Sequence, residues 1–374
     1  MTEAQAALRH TPLHASHLAL GARMVAYAGY DMPVQYTSIM EEHRTVRGAV
    51  GLFDLSHMGE MHLSGPEALA FARYAVVSDP GLLDPGQAQY SMLCAADGGI
   101  IDDVIVYRVE DGYLIVCNAA NHDAVQAQLE SLRAHGDFDV TLADRSQETA
   151  LIAPQGPRAA ELLGRLTDAD LAALGNYRSV AGRVAGTECL IARTGYTGED
   201  GFELFCAARR ARRLWDALIS TGADLGLQPC GLGSRDTLRL EAGMPLYGNE
   251  LDRSVNPYEA NLGRVVKMEK GEFVGRGALA AVQQTGPTRK LVGLTMRGAA
   301  IARHGYPVLV AGAQAGVVTS GTLSPTLGER IAMAYLPAAD VALGGEVEVL
   351  VRDRPHPAEQ VKLPFYRRPK PDAA

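Results

Sequence analysis

Apolar positions along this chain fall in short alternating runs more often than at helical spacing. Asp102-Asp103-Val104-Ile105-Val106-Tyr107 runs into Glu110-Asp111-Gly112 and then Tyr113-Leu114-Ile115-Val116-Cys117. Two β-branched runs about a Glu-Asp-Gly turn predict an antiparallel hairpin. Helical spacing appears in fewer places. Val125, Leu129 and Leu132 recur at that spacing before Gly136, and Pro66 to Val77 gives a second helix candidate. A third spans about Ala207 to Leu225, with Leu214, Trp215, Leu218 and Ile219 on one side. A fourth is expected to start at Ser234 as N-cap and to end at Gly243.

Beyond residue 285 the pattern changes. Gly286-Pro287-Thr288 reads as a linker, followed by short runs at Leu291–Met296, Pro307–Val310, Gly316–Ser320, Ile331–Leu336 and Val347–Val351. Glycine and proline punctuate them, as in a small closed β-domain. Short strands mixed with helices, without regular βαβ alternation, predict an α+β fold.

With 374 residues the chain exceeds one compact core, so two or three domains are expected. Apolar residues make up 47% and charged residues 21%, which excludes a disordered or fibrous chain. No apolar stretch reaches the ~18 residues of a membrane helix, and the first ten residues do not read as a signal peptide. The formal charge of −8 argues against a nucleic-acid partner, because such binding runs on phosphate neutralisation. Five cysteines are spread singly with no C-x-x-C, which points to reduced thiols and a cytoplasmic setting.

Common catalytic fingerprints are missing. Gly231-Leu232-Gly233-Ser234-Arg235-Asp236 lacks the third glycine of a dinucleotide loop, and no P-loop is found. Glu41-Glu42-His43 lacks the second histidine of a zinc-protease helix, and there is no hydrolase elbow. Neither a metal nor a bound nucleotide is expected.

Four places hold polar groups that stability alone would not put there. In Gly98-Gly99-Ile100-Ile101-Asp102-Asp103 two acids enter an apolar strand. Alternation sends them to opposite faces, so one points to an interior or cavity, unless the pair caps the turn after Gly98-Gly99. In the Gly-rich segment 193–203, Glu203 stands between Phe202 and Leu204, facing either solvent or a cleft. Arg235 in a first helical turn opposes the helix dipole and reads either as an anion ligand or as a surface ion pair. The tail Lys362-Leu363-Pro364-Phe365-Tyr366-Arg367-Arg368 carries aromatic and cationic groups after a strand, or is simply solvated.

Taken in order, these stretches resemble the aminomethyltransferase, or T protein, family of the glycine cleavage system. The resemblance runs from Thr11-Pro12-Leu13-His14 and Gly29–Tyr36 through Gly51–Gly59 and Gly98–Asp103. It continues over Gln155-Gly156-Pro157, Thr194–Glu203, Ser234–Gly243 and Leu246-Tyr247-Gly248. Val318–Gly321 and Pro364-Phe365-Tyr366 close it. Tyr30 stands where the family often has tryptophan, which keeps a large aromatic.

The resemblance implies three domains in a cloverleaf around a central tetrahydrofolate site. A discontinuous first domain (1–51 with 141–285) would flank an inserted second one (52–140), with a C-terminal β-barrel or jelly-roll-like domain at 286–374. It also implies the reaction: ammonia leaves the aminomethyl group on the dihydrolipoyl arm of H protein, and the methylene passes to tetrahydrofolate as co-substrate. By resemblance Asp103 is the catalytic carboxylate, with Asp102 its less favoured neighbour. Glu203 takes the pterin edge and Arg235 orients the folate. Tyr90, Tyr196 and Tyr366 are wall residues, Met58 fills a gap beside them and Asn118 makes a polar contact. Two other readings share the motifs: a folate-dependent demethylase working without H protein, and a non-catalytic folate-binding regulator.

Overall fold

The computed structural model describes residues 7–369. Two sheets packed face to face and a closed barrel carry the architecture, which is α+β as the pattern predicts. The six-stranded sheet runs in the order Ser179–Val184, Thr187–Ala192, Glu203–Ala207, Thr149–Gln155, Val50–Asp54, Leu227–Pro229. All its neighbours are antiparallel except the last pair, where Leu227 lies beside Val50 in parallel.

One face of this sheet presents Leu52, Ile152, Phe202 and Leu204 to Leu214, Trp215 and Leu218 of the helix Ala211–Gly222. That is the apolar stripe read from the sequence. Its opposite face meets the second sheet.

The second sheet is ordered Ala88–Cys94, Ile100–Val109, Gly112–Cys117, Gly59–Ser64, Thr141–Asp144. The expected hairpin is its centre, with Val109 opposite Gly112. Helices Ala68–Ala75 and His122–His135 cover the outer face, where Val104 and Val106 pack with Phe71 and Leu129. The inner face lies against the six-stranded sheet. There Tyr107 and Val116 join Phe53, Leu151 and Phe205 in one apolar cluster. The Tyr107 and Phe205 rings meet edge to face at 5.5 Å, a favoured aromatic geometry.

Beyond the helix Arg276–Thr285 the chain closes a six-stranded antiparallel barrel. Five of its strands match the runs read from the sequence. The sixth, Arg354–Val361, pairs with both Glu346–Val351 and Arg289–Met296 and so seals the barrel. Two prolines, Pro355 and Pro357, mask it in the sequence, since proline ordinarily argues against a ladder strand.

One helix start differs from expectation. The helix Leu232–Glu241 has Gly231, not Ser234, at its N-cap, while Gly243 ends it with a positive φ of 64° as expected. A Cβ on Gly231 would lie 2.4 Å from the Val34 backbone, so only glycine fits there. The capping acceptor comes from elsewhere: Glu42 accepts from the Gly231 amide at 2.8 Å. Ser234 sits inside the first turn, bonded back to the Gly231 carbonyl at 2.9 Å.

Among the described residues no helix is long and apolar enough to cross a membrane.

Candidate active site

Strand alternation is obeyed at the paired acids, and it separates them. Asp102 follows Val104 and Val106 toward the helix-covered side and is fully buried. Asp103 follows Ile105 and Tyr107 toward the space between the sheets, where it is half-buried. A bulge at Ile101, where Leu93 pairs with Asp102 and Cys94 with Ile100, interrupts the ladder just before the pair.

Asn118 ends the neighbouring strand and reaches both acids. Its side-chain amide donates to Asp102 Oδ1 at 2.8 Å and to Asp103 Oδ1 at 2.9 Å. Asp102 also accepts from the Asn118 backbone amide at 2.8 Å and from Asn121 Nδ2 at 2.6 Å. Tyr90 donates its hydroxyl to Asp103 Oδ2 at 3.0 Å. Burial raises the proton affinity of both carboxyls. The charge of Asp103 adds to this at Asp102, while donors from Tyr90 and Asn118 oppose it at Asp103. The pair therefore releases protons in two linked steps above the ordinary carboxylate range. A carboxyl in that condition can both hold a proton and carry a negative charge near neutral pH.

Glu203 opens its strand opposite Ala192, on the reverse face from Phe202 and Leu204. Its Oε2 accepts from the Tyr107 hydroxyl at 3.2 Å and from the Thr194 hydroxyl. The loop before it is drawn together by Gln155. That side chain donates to the carbonyls of Thr194 (3.1 Å) and Phe202 (3.2 Å) and accepts from Thr197 Oγ1 at 3.0 Å. A Cβ on Gly195 would come within 2.1 Å of Gln155, and one on Gly201 within 2.5 Å. Gly195 and Gly201 thus admit a buried amide that holds the residues flanking Glu203 and Tyr196.

Arg235 is half-buried, its guanidinium 4.8 Å from the centre of the Tyr196 ring. No carboxylate or carbonyl hydrogen-bonds it among the described residues. Burial lowers its proton affinity, and Glu203, Tyr196 and Tyr27 work in the opposite direction. An exposed ion pair, the ordinary fate of a surface arginine, is not what the helix provides. Tyr196 donates its hydroxyl to the Pro245 carbonyl. Met58, half-buried, packs against the same cluster as Tyr107 and Phe53.

Tyr90, Asn118 and Asp103 are thus joined by hydrogen bonds, Glu203 joins Tyr107 on the inter-sheet face with Met58 packed nearby, and Tyr196 lies against Arg235 within electrostatic reach of Asp103. Tyr366 is held in a separate network. Its amide donates to the Glu241 carbonyl at 2.8 Å and its hydroxyl to Glu199 at 2.8 Å, with Arg47 stacked 4.0 Å above the ring.

Tyr107, Thr194, Asn121 and Gln155 support the constellation, although the sequence assigns none of them a role in it. For Tyr107 the signal was available, because positions 103, 105 and 107 share one strand face. The others are joined through the fold alone. A surface cleft of about 720 Å³, lined by Arg145, Arg183 and Arg209, opens away from these residues on the six-stranded sheet. His10, His14 and Asp31 form a group with metal-ligand atoms in reach of one another. The two imidazoles stack at 3.7 Å and 6°, so their lone pairs lie in parallel planes and do not converge on one ion.

Residues 13–270 match the GCVT N-terminal domain and residues 289–367 the glycine cleavage T-protein C-terminal barrel domain. An aminomethyltransferase of Moorella thermoacetica is 52% identical over 364 residues, covering 97% of this chain and 99% of that protein. One from Streptomyces avermitilis is 54% identical, covering 97% and 98%. The crystal structure of glycine cleavage system aminomethyltransferase T from Bartonella henselae superposes with a TM-score of 0.90 at 36% identity, over 96% of this chain and 98% of that one. With both domain models matched in order and half the residues shared with full-length relatives, the chain belongs to the aminomethyltransferase, or glycine cleavage T-protein, family.

Proposed function

We propose that this protein takes the aminomethyl group from the dihydrolipoyl arm of H protein, releases ammonia, and delivers the methylene to tetrahydrofolate. The observation that carries this reading is the placement of Asp103. It is a half-buried carboxyl held by Tyr90 and Asn118 on the same inter-sheet face as Tyr107, whose hydroxyl bonds Glu203.

The residues present fit a reduced folate. Glu203 commits Oε2 to Tyr107 and Thr194, while Oε1 carries no hydrogen bond among the described residues and is free to accept the two N–H donors of a pterin edge. Arg235 is a cation that no acid hydrogen-bonds among the described residues, suited to orient an anionic or carbonyl-bearing ligand. Tyr196 and Tyr90 offer flat aromatic surface. When bound, tetrahydrofolate supplies the nitrogen nucleophile that accepts the carbon unit.

The protein's contribution is electrostatic and protic. Loss of ammonia beside sulfur leaves positive charge on the donor carbon, and the Asp103 carboxylate stabilises that charge at short range in a site of low dielectric. Its raised proton affinity lets Oδ1 or Oδ2 take up a proton as the carbon is passed on. Asn118 and Tyr90 hold the carboxylate in one orientation, so no reorganisation is required during transfer.

We also infer a division of the chain into a discontinuous first unit (1–51 with 141–285), an insertion (52–140) and the barrel (286–374). Sheet membership supports it with slightly moved edges: Val50–Asp54 stays with the six-stranded sheet and Thr141–Asp144 pairs into the other. The cysteines, all free and buried, support a reducing compartment such as the cytoplasm.

The test is ammonia release and methylenetetrahydrofolate formation with aminomethylated H protein as donor. Activity dependent on both H protein and tetrahydrofolate is expected. Turnover of free methylated amines in its place would favour a demethylase, and tetrahydrofolate binding without turnover would leave only a binding protein.

A further inference from the structure

We infer that Glu250 is a positioning residue for this site: paired with Arg239, it fastens segment 244–251, and that segment holds Tyr196 and the start of the Asp103 strand. The role of the site is that of the proposed function; the mechanical coupling is a separate statement about the fold.

The geometry is continuous. Arg239 Nη1 and Glu250 Oε2 lie 2.7 Å apart, and both side chains are 0% exposed. Glu250 Oε2 also accepts from the Leu246 amide at 3.0 Å, and Arg239 Nη1 donates to the Met244 carbonyl at 3.1 Å. The ion pair therefore grips both ends of one tight segment. From that segment two bonds reach the site. The Pro245 carbonyl accepts the Tyr196 hydroxyl, and Tyr247 donates its hydroxyl to the Ile100 carbonyl at 3.2 Å, two residues before Asp102. The barrel secures the back: Ser320 accepts from Arg239 Nη2 at 2.6 Å, and Tyr335 donates to the Glu250 carbonyl at 2.8 Å.

A buried pair joined only for stability would be expected to satisfy every lone pair. Glu250 does not, since Oε1 is buried with no hydrogen-bond partner among the described residues. The groups facing this carboxylate are Arg239, Asp103, Tyr196 and Tyr335, with Asp236 flanking Arg239 on its helix. Its charge raises the proton affinity of Asp103. Glu250 thus acts on the site both through the segment and through its field, without touching substrate.

The test uses the full-length protein and Glu250→Gln, which keeps the shape and removes the charge. Hydrogen exchange is read first, because it requires no ligand. Faster exchange is expected at 194–197 and 100–103 as well as at 244–251; acceleration confined to 244–251 overturns the coupling. In tetrahydrofolate calorimetry the variant should bind about tenfold more weakly, and Tyr196→Phe should add little on the Glu250→Gln background. The acidic limb of kcat should move to lower pH, because Asp103 loses a neighbouring negative charge. Unchanged affinity together with an unchanged pH profile also overturns the proposal. If wild type does not bind tetrahydrofolate, the functional reading fails, and hydrogen exchange alone decides the coupling. Should Glu250→Gln not fold, Ser320→Ala replaces it; weaker restraint of 194–197 is again expected, and no change there rejects the inference.

Discussion

The Tyr90 hydroxyl donates to Asp103 Oδ2 at 3.0 Å, so of the two neighbouring acids the one turned toward the inter-sheet space is held from the adjacent strand. Removing the carboxylate and removing its donor should have different effects. Asp103→Asn is expected to retain tetrahydrofolate affinity while lowering turnover by about 10²–10⁴, the span of positioned proton-transfer groups. Steady-state kinetics beside calorimetry would separate the two. Tyr90→Phe takes away a donor that lowers the Asp103 pKa, so the acidic limb of the kcat/KM profile should shift to higher pH. A shift in the other direction would contradict the assignment.

Glu203→Ala should weaken tetrahydrofolate binding by roughly 1.5–3 kcal/mol, the worth of hydrogen bonds to a charged group, with a smaller change in kcat. Tyr107→Phe, which removes one of the two hydroxyls holding Oε2, should cost less. Calorimetry showing full affinity in Glu203→Ala would reject the pterin contact.

Glu60 lies opposite Val116 on the inner sheet face, buried, with neither carboxyl oxygen hydrogen-bonded among the described residues. Burial, and then the charge of Asp144, raise its pKa well above the usual value. A carboxyl whose folded pKa is raised stabilises the fold at low pH and loses that stability as pH climbs past its unfolded value. Glu60→Met should therefore stabilise the protein at neutral pH, by about 1.4 kcal/mol per pH unit above the unfolded value until the folded pKa is passed. Urea melts at pH 5 and pH 8 give the comparison: the gain must grow with pH.

Glu241 behaves in the opposite sense. Burial alone would push its pKa up, but hydrogen bonds from His43, Ser324 and Arg47 outweigh it and hold it at about 2. Its stabilising contribution is complete above the unfolded carboxylate range and disappears as pH falls toward 2. Acid unfolding should steepen between about pH 4.5 and pH 2, and Glu241→Gln should remove that part of the slope.

Gly195→Ala should destabilise by about 1–3 kcal/mol, the usual cost of overpacking. The new methyl group would have to displace Gln155, which lies within 2.1 Å of the Cβ position. Because Gln155 also fixes the Thr194 and Phe202 carbonyls, the variant should lose tetrahydrofolate affinity as well. A stable variant with full affinity would show that the amide can move without consequence.

Much of this site was legible before any coordinates. The period of two over 102–107 already separated Asp102 from Asp103, and Phe202 and Leu204 already turned Glu203 away from their core. The alternation alone did not say which acid faced the site, and only the family resemblance pointed to Asp103, because the outer helices and the partnering sheet decide which side of a strand is core. The same limit applies to Ser234, a good capping residue displaced by a cap that Glu42 supplies from a distant helix. Tyr366 shows it again. Its tail reads as aromatic and cationic, yet Arg47 and Glu199 determine where the ring rests.

Spacing along the chain determined what short-range sterics control: the alternation of strands, the glycines that leave room at 195 and 201, and the order of motifs that marks the family. The fold alone decided which distant groups meet. Asn118 spans two acids, Gln155 pins a loop, and the buried Arg239–Glu250 pair stands behind Tyr196. The reason is physical: hydrogen bonds and ion pairs act over a few ångströms in space, and no pattern of neighbours in sequence records which remote residues are brought within that reach.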